Sequence, residues 1–147
     1  SHEVYNGHSM AAVGVACHEA GHALQDAKKY APLVIRNLAV PAASFGSNIG
    51  MSLLMAGAFA QIQPLIILGI VGFAATVFFQ VINLPVEFNA SSRAREQLVT
   101  FGIINANEEP YVAKVLNAAA LTYVAATLQA VMTLLYLILR FAGGSRD

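Results

Sequence analysis

Two histidines and a glutamate at fixed spacing dominate the chemistry that this sequence could perform. His18, Glu19 and His22 lie in the pattern HEAGH. On a helix, positions i and i+4 share one face, so both imidazoles can offer a nitrogen to the same metal ion. The carboxylate of Glu19 follows the first ligand directly and can accept a proton from water at the metal. The pattern predicts a Zn²⁺ site that needs a third protein ligand and one open coordination position.

The residues around the motif favour a metal over a chance match. They are small and apolar, which is typical of a buried helix, and a buried His-Glu-His cluster without a partner or a metal would be costly. These flanking residues are Val13, Ala16, Ala20, Ala23 and Leu24.

The composition indicates a membrane protein. The 147 residues fit one domain, which we predict to cover 1–147. They are 57% hydrophobic and 11% charged, with a mean hydropathy of +0.62, whereas about a quarter of a soluble chain is charged. The formal net charge is zero, so no nucleic-acid partner is indicated, and the expected partner is a lipid bilayer. The single Cys17 excludes an internal disulfide and is expected to be a buried packing residue.

Long charge-free segments predict the membrane helices. No charged residue occurs from 37 to 86, and a single helix of that length would far exceed a hydrocarbon core of about 30 Å. We therefore predict two spans, Val40–Ala60 and Pro64–Ile82. A further helix start at Asn107–Pro110 leads to a third span, Val115–Leu139. The predicted fold is an all-α integral membrane bundle of about three transmembrane helices. The zinc-binding HExxH helix and a Glu-bearing helix pack at the membrane face.

A row of small residues lies on the first predicted span. Gly46 and Gly50 form a GxxxG pattern that allows another helix to approach closely. The higher glycine content of membrane helices would explain the pattern equally well. If the row is an interface, an oligomer could form through this face.

Two spans return the chain to the side of the membrane that it left. We therefore expect the HEAGH helix, which runs from the N-cap Ser9 to about Tyr30, to share one membrane face with the segment after the second span. In that segment Pro85 is typical of a helix start and Gly102 of a helix end. Glu87 would then lie in the first turn, where the helix dipole stabilises a carboxylate.

The third ligand has to come from elsewhere in the chain. The metzincin continuation HExxHxxGxxH is excluded, since Gln25 and Lys28 replace its glycine and histidine. A distant glutamate is the alternative, and Glu87 has apolar neighbours on both sides at the membrane edge. An unpaired carboxylate there would be costly, and a metal would explain it. The other candidates lie in segments typical of solvated faces or first turns: Glu96, Glu108 and Glu109.

Three segments in order, VGVACHEAGHALQ, LPVEFNASSRA and VLNAAALTYVAA, resemble the YugP-like neutral zinc metallopeptidases of bacterial membranes. The resemblance covers nearly the whole chain and implies a protease of the bacterial cytoplasmic membrane that cleaves peptides or membrane proteins. Members usually carry a further membrane helix upstream, which this sequence does not include. EFNAS is also similar to the third-ligand helix of the HtpX/Ste24-type membrane proteases. That similarity implies Glu87 as ligand, and Ser91 stands where the pattern has aspartate.

The expected reaction is peptide hydrolysis with Zn²⁺ held by His18, His22 and Glu87 and with Glu19 as general base. Around this centre we consider four further residues for orienting a ligand or stabilising the oxyanion: Asp26, Ser91, Arg93 and Tyr123. Two alternatives remain open, a metal-binding membrane protein for transport or sensing without catalysis and an inactive scaffold. Neither would need Glu19.

The distribution of cations predicts the orientation in the membrane. Cytoplasmic loops hold the excess of Lys and Arg, so the zinc site is expected at the cytoplasmic face with the C-terminus outside. The opposite side carries Arg140 and Arg146. The site-side cations are Lys28, Lys29, Arg36, Arg93, Arg95 and Lys114.

Overall fold

The computed structural model describes residues 1–142, and within that range the chain forms helices and turns without a strand. The all-α prediction is therefore confirmed. Arg146 and the C-terminus, which enter the charge comparison, lie outside the described residues. The elements in chain order are α1 (His2–Asn6), α2 (Met10–Ala27), α3 (Ala31–Phe45), a π-helical turn (Gly46–Gly50), α4 (Met51–Ala60), α5 (Gln63–Thr100), α6 (Glu109–Leu137) and a second π-helical turn (Ile138–Ala142).

Three helical stretches are long and apolar enough to cross a membrane: Ala31–Ala60, Gln63–Thr100 and Glu109–Phe141. The predicted number of spans is confirmed, but each stretch is longer than its prediction because polar residues at its ends stay helical. At 1.5 Å per residue, α5 extends about 57 Å, nearly twice a hydrocarbon core. Its charged residues all follow position 86, so the C-terminal part is the part that extends beyond the membrane.

The chain divides into two compact units. The first, here called the metal unit, comprises Ser1–Val34 and Asn83–Val124. The second, here called the membrane unit, comprises Ile35–Ile82 and the described part of the segment that begins at Ala125. The single domain over 1–147 stays a prediction.

Helix α2 carries the HEAGH motif and begins as predicted. The Oγ atom of Ser9 accepts a hydrogen bond from the backbone N–H of Ala12 at 3.1 Å, which is an N-cap. The helix ends at Ala27, three residues before the predicted end. Lys29 has a positive φ of 49°, and the N–H of Tyr30 donates to the carbonyl of Gln25. This is a Schellman-type ending, which halts the helix before Pro32 is reached.

The prediction that Pro85 starts a helix was wrong, since Pro85 lies inside the continuous helix α5. Proline removes one backbone N–H bond, but an apolar helix that broke here would expose several more unsatisfied groups. Glu87 is therefore not in a first turn, and the helix dipole does not explain its position. The predicted end holds, because α5 finishes at Thr100 and Gly102 adopts a left-handed φ of 63°.

The start of α6 lies close to its prediction. The helix begins at Glu109, and Asn105 rather than Asn107 makes the capping hydrogen bonds, in the turn that leads into it. Asn105 Oδ1 accepts from the N–H groups of Asn107 and Glu108, and Glu108 Oε2 accepts from the N–H of Asn105 at 2.8 Å. This reciprocal pair is a capping box, which fixes where the helix starts.

Each unit has its own apolar core. In the metal unit, half-buried Val13 and Cys17 of α2 pack on buried residues of α5, α6 and the turn between them: Ala94, Leu98, Ile104, Val112 and Leu116. In the membrane unit the buried cluster consists of Leu54, Ile66, Ile70 and Leu137.

The glycine row of the first span is covered within the chain. A Cβ atom on Gly46 would overlap the carbonyl oxygen of Gly72, and one on Gly50 would lie 3.1 Å from the carbonyl oxygen of Gly69. The predicted close approach is real, and its partner is α5 of the same chain. Both glycines are buried within the chain, and an oligomer through this face stays a prediction.

Candidate metal centre

Helices α2 and α5 approach each other closely at the HEAGH motif. Gly21, the fourth residue of the motif, lies against the backbone of Ala90, and a Cβ atom there would overlap the Ala90 carbonyl oxygen. A glycine at this position lets the two backbones come close enough for side chains on each to meet. The motif thus supplies two metal-binding side chains and, through Gly21, the close helix contact that places a third donor from α5 beside them.

His18 and His22 converge on one carboxylate oxygen. Glu87 Oε2 lies 3.1 Å from His18 Nε2 and 3.6 Å from His22 Nε2. One donor atom from each of the three residues lies within 4.8 Å of the others. Within residues 1–142, this is the one group of three or more His, Cys, Asp or Glu side chains so arranged. The Glu87 side chain is only 6% exposed, and the imidazoles are 17% and 21% exposed.

A buried glutamine fixes the orientation of the His22 ring. Gln25 has no exposed surface, and its Nε2 donates to the carbonyl of Val86 at 2.8 Å and to Asn89 Oδ1 at 3.0 Å. Since both partners of Nε2 are acceptors, Gln25 Oε1 must face His22 Nδ1, at 2.9 Å. His22 Nδ1 is therefore a hydrogen-bond donor to Gln25, and Nε2, on the Glu87 side, is the nitrogen that would bind a metal ion.

Arg93 extends this network away from the donors. Its Nε donates to Asn89 Oδ1 at 2.7 Å, and its guanidinium lies over the Tyr30 ring at 5.7 Å from the centroid. Arginine can only donate, so it fixes the Asn89 oxygen toward Gln25. Arg93 is not among the residues that line the cavity beside the donors, so of the two roles we considered, these contacts agree with orienting a ligand.

Asp26 does not orient His22, contrary to our expectation. Residues three and four positions after His22 both lie on its side of the helix. Asp26 is exposed, whereas Gln25 is buried against α5 and makes the hydrogen bond. In the sequence, Asp26 was the more obvious candidate because it is charged. In the structure, the packing of α2 on α5 places the neutral amide of Gln25 against His22 instead.

Ser91 contacts the other imidazole. Its Oγ lies 3.1 Å from His18 Nδ1, and Ser91 is buried on α5 one turn after Glu87. The Ser91 hydroxyl can accept a hydrogen bond from the Nδ1–H group, which leaves His18 Nε2 to bind a metal ion.

Glu19 and Tyr123 line one cavity beside the donors. The cavity measures about 180 Å³, and Glu19 is exposed at its edge. Tyr123 comes from α6 and is 40% exposed. A carboxylate and a phenol hydroxyl therefore border the same space as His18 and Glu87.

The remaining candidates lie elsewhere. Glu96 is exposed, Glu108 caps α6, and Glu109 pairs with Arg95 at 2.5 Å. Cys17 is free and half-buried on the metal unit's core, and burial raises the pKa of its thiol.

Comparison with known proteins agrees with the donor set. Residues 1–142 match the family described as "Putative neutral zinc metallopeptidase". The chain belongs to this family. It is 49% identical over 144 residues to the "Putative membrane protease YugP" of Bacillus subtilis (strain 168), which covers 98% of this chain and 64% of that relative. The chain thus spans a little under two thirds of the relative's length. No solved structure gives a significant match, and the similarity to HtpX/Ste24-type proteases stays a prediction.

Membership of the family and the three apolar helices make this chain a membrane protein of a zinc metallopeptidase family. Two imidazoles and a carboxylate are among the usual zinc ligands, and they leave one coordination position open. The donors present in the metal unit therefore fit Zn²⁺.

Proposed function

We propose that the protein is a membrane-embedded, zinc-dependent endopeptidase of the HExxH type with a distant glutamate ligand, the gluzincin-like arrangement. His18, His22 and Glu87 would hold Zn²⁺, and Glu19 would be the general base. One observation carries the proposal: the His pair on α2 and Glu87 on α5 are separated in sequence by both predicted spans, yet the three donors lie within 4.8 Å of one another. The expected substrates are peptides or membrane proteins.

Bound Zn²⁺ would polarise both the attacking water and the scissile carbonyl group. Glu19 accepts one proton from that water as its oxygen bonds to the carbonyl carbon, and it passes the proton to the nitrogen when the C–N bond breaks. Tyr123, which lines the same cavity, would donate a hydrogen bond from its phenol hydroxyl to the carbonyl oxygen as negative charge builds there. Gln25 and Ser91 hold the two imidazoles in the orientation that presents Nε2.

The Glu19→Gln variant tests this assignment in the protein purified in detergent and loaded with zinc. A carboxamide has nearly the shape of the carboxylate but cannot accept the proton. We expect parental zinc content and a peptidase rate lower by about 10²–10⁴-fold, the usual contribution of a general base. Glu3→Gln, an exposed change in α1, is the matched control and should cleave like the parent.

If Glu19→Gln cleaves peptides at the rate of the parent, Glu19 is not the general base. If the zinc-loaded parent cleaves no peptide, the chain would instead be a metal-binding membrane protein or scaffold, both of which are indifferent to Glu19.

We further propose that the zinc site faces the cytoplasm of a bacterial inner membrane, on the strength of the cation excess on the site side. Single cysteines at Lys29, Arg95 and Gln61, in a background with Cys17 replaced by serine, would be labelled with a membrane-impermeant thiol reagent in intact cells. Only the Gln61 position should react. Labelling of Lys29 and Arg95 instead would invert the orientation.

A further inference from the structure

The cavity beside the donors is built from one face of each of three helices. Helix α2 contributes Val15, His18 and Glu19 at positions i, i+3 and i+4, and α5 contributes Glu87 and Ser91 one turn apart. Helix α6 forms the opposite wall with residues at i, i+1, i+4, i+5 and i+8, namely Val115, Leu116, Ala119, Ala120 and Tyr123. Every lining residue belongs to the metal unit.

The polar groups of this cavity are confined to one side. His18, Glu19, Glu87 and Ser91 come from α2 and α5, whereas the α6 wall is apolar except for the Tyr123 hydroxyl. Wall residues Val115 and Leu116 are half-buried and buried, and Ala119 presents only a methyl group. A peptide whose scissile carbonyl lies at the donors would therefore place a neighbouring side chain against an apolar surface.

We propose that the α6 wall is the specificity pocket of the enzyme and that it selects peptides with an apolar side chain next to the scissile bond. This inference rests on the proposed peptidase function. A charged side chain would lose its hydration against the wall without gaining a partner, whereas a Leu or Phe side chain would be removed from water. The alanine methyls of 119 and 120 set the depth, because larger side chains there would fill the space.

Ala119→Leu tests the pocket. We would compare cleavage of quenched fluorescent peptides that differ only at the residue beside the scissile bond, with Ala, Leu, Phe or Asp there. The parent should prefer Leu and Phe over Asp. In the variant, kcat/KM for Leu and Phe peptides should fall about 10-fold or more, the size expected for a few methylenes in an apolar pocket, while the Ala peptide should change little.

Ala118→Leu is the matched control. Ala118 is the preceding residue of α6, is also exposed, and does not line the cavity, so its substitution should leave the preference unchanged. Equal treatment of Leu, Phe and Asp peptides by the parent would overturn the proposal. The same preference in Ala119→Leu as in the parent would also overturn it.

A binding measurement separates this inference from the proposed chemistry. A fluorescent Leu peptide would be titrated into Glu19→Gln, and then into the double variant with Ala119→Leu. We expect tighter binding of the Leu peptide than of the Asp peptide, and at least about 10-fold weaker binding of the Leu peptide to the double variant. If both binding results are obtained but the parent cleaves no peptide, the pocket would be supported and the peptidase function would be excluded. Equal affinities for Leu and Asp peptides would sink the pocket.

Discussion

The metal unit and the membrane unit join their helices by different means. In the metal unit, buried polar side chains cross from α2 to α5. Gln25 reaches Val86 and Asn89, and His18 reaches Ser91. These contacts also orient the imidazoles, so structure and metal chemistry depend on the same hydrogen bonds.

In the membrane unit, backbone proximity dominates. Gly46 and Gly50 lie against Gly69 and Gly72, and the cross-helix hydrogen bonds in its described part include Thr76 to the carbonyl of Ala43 at 3.2 Å. Apolar side chains gain little from one another in lipid, so close van der Waals packing holds such helices together. A substitution at a helix contact of the metal unit should therefore change metal affinity, whereas one in the membrane unit should change stability alone.

The largest effects should come from two glycines, one in each unit. Gly21→Ala and Gly46→Ala each force a methyl group onto a backbone carbonyl oxygen, which should cost about 1–3 kcal/mol of unfolding free energy. Denaturant unfolding in detergent measures that cost, and metal titration measures zinc affinity. Only Gly21→Ala should weaken zinc binding, because all three donors lie in the metal unit.

Gly14→Ala is the control for this pair, since its added methyl group would meet Val112 Cγ1 at an ordinary 3.4 Å. It should be close to neutral in both assays. Weakened zinc binding in Gly46→Ala would show that the two units are not separable in this way.

The next effect concerns Gln25. Gln25→Ala removes the acceptor for His22 Nδ1–H and leaves Asn89 without one donor, so zinc affinity should fall about 10–100-fold. Competition with a zinc chelator measures the change. Asp26→Ala, at the adjacent exposed position, should bind zinc like the parent, and a larger loss in Asp26→Ala than in Gln25→Ala would reverse our assignment.

The smallest effect should be that of the Arg95–Glu109 ion pair. Both side chains are partly solvated, at 39% and 25% exposed, so Arg95→Ala should cost less than about 1 kcal/mol in unfolding free energy. The loss should shrink further in high salt, and zinc affinity should not change. A loss of zinc in Arg95→Ala would mean that α6 positions the donors more directly than the contacts indicate.

Sequence predicted the donors because their chemistry is local. The HEAGH spacing places two imidazoles on one helix face, and the apolar neighbours of Glu87 distinguish it from Glu96, Glu108 and Glu109. The structure brings together the three residues so chosen. The number of membrane helices and the all-α class could be predicted from the lengths of the charge-free segments, because hydrophobicity alone determines which segments can span a membrane.

The features that sequence did not predict depend on packing between distant segments. Proline occurs at helix starts and is also tolerated inside apolar membrane helices. The residue type of Pro85 therefore could not decide whether a helix starts there or continues through it. Gln25 and Asp26 have equivalent spacing from His22, and only the face that α5 covers distinguishes them. Gly21 carries no donor atom, so the sequence did not single it out, although its missing side chain is what lets α5 approach.

The zinc content of Glu87→Ala shows whether this carboxylate is the third metal ligand. The parent and the matched variant Glu96→Ala, altered at an exposed glutamate on the same helix, should each retain about one zinc per chain after gel filtration. Glu87→Ala should lose stoichiometric zinc while keeping its helical circular dichroism. Full zinc content in Glu87→Ala, or equal loss in Glu96→Ala, would contradict the account.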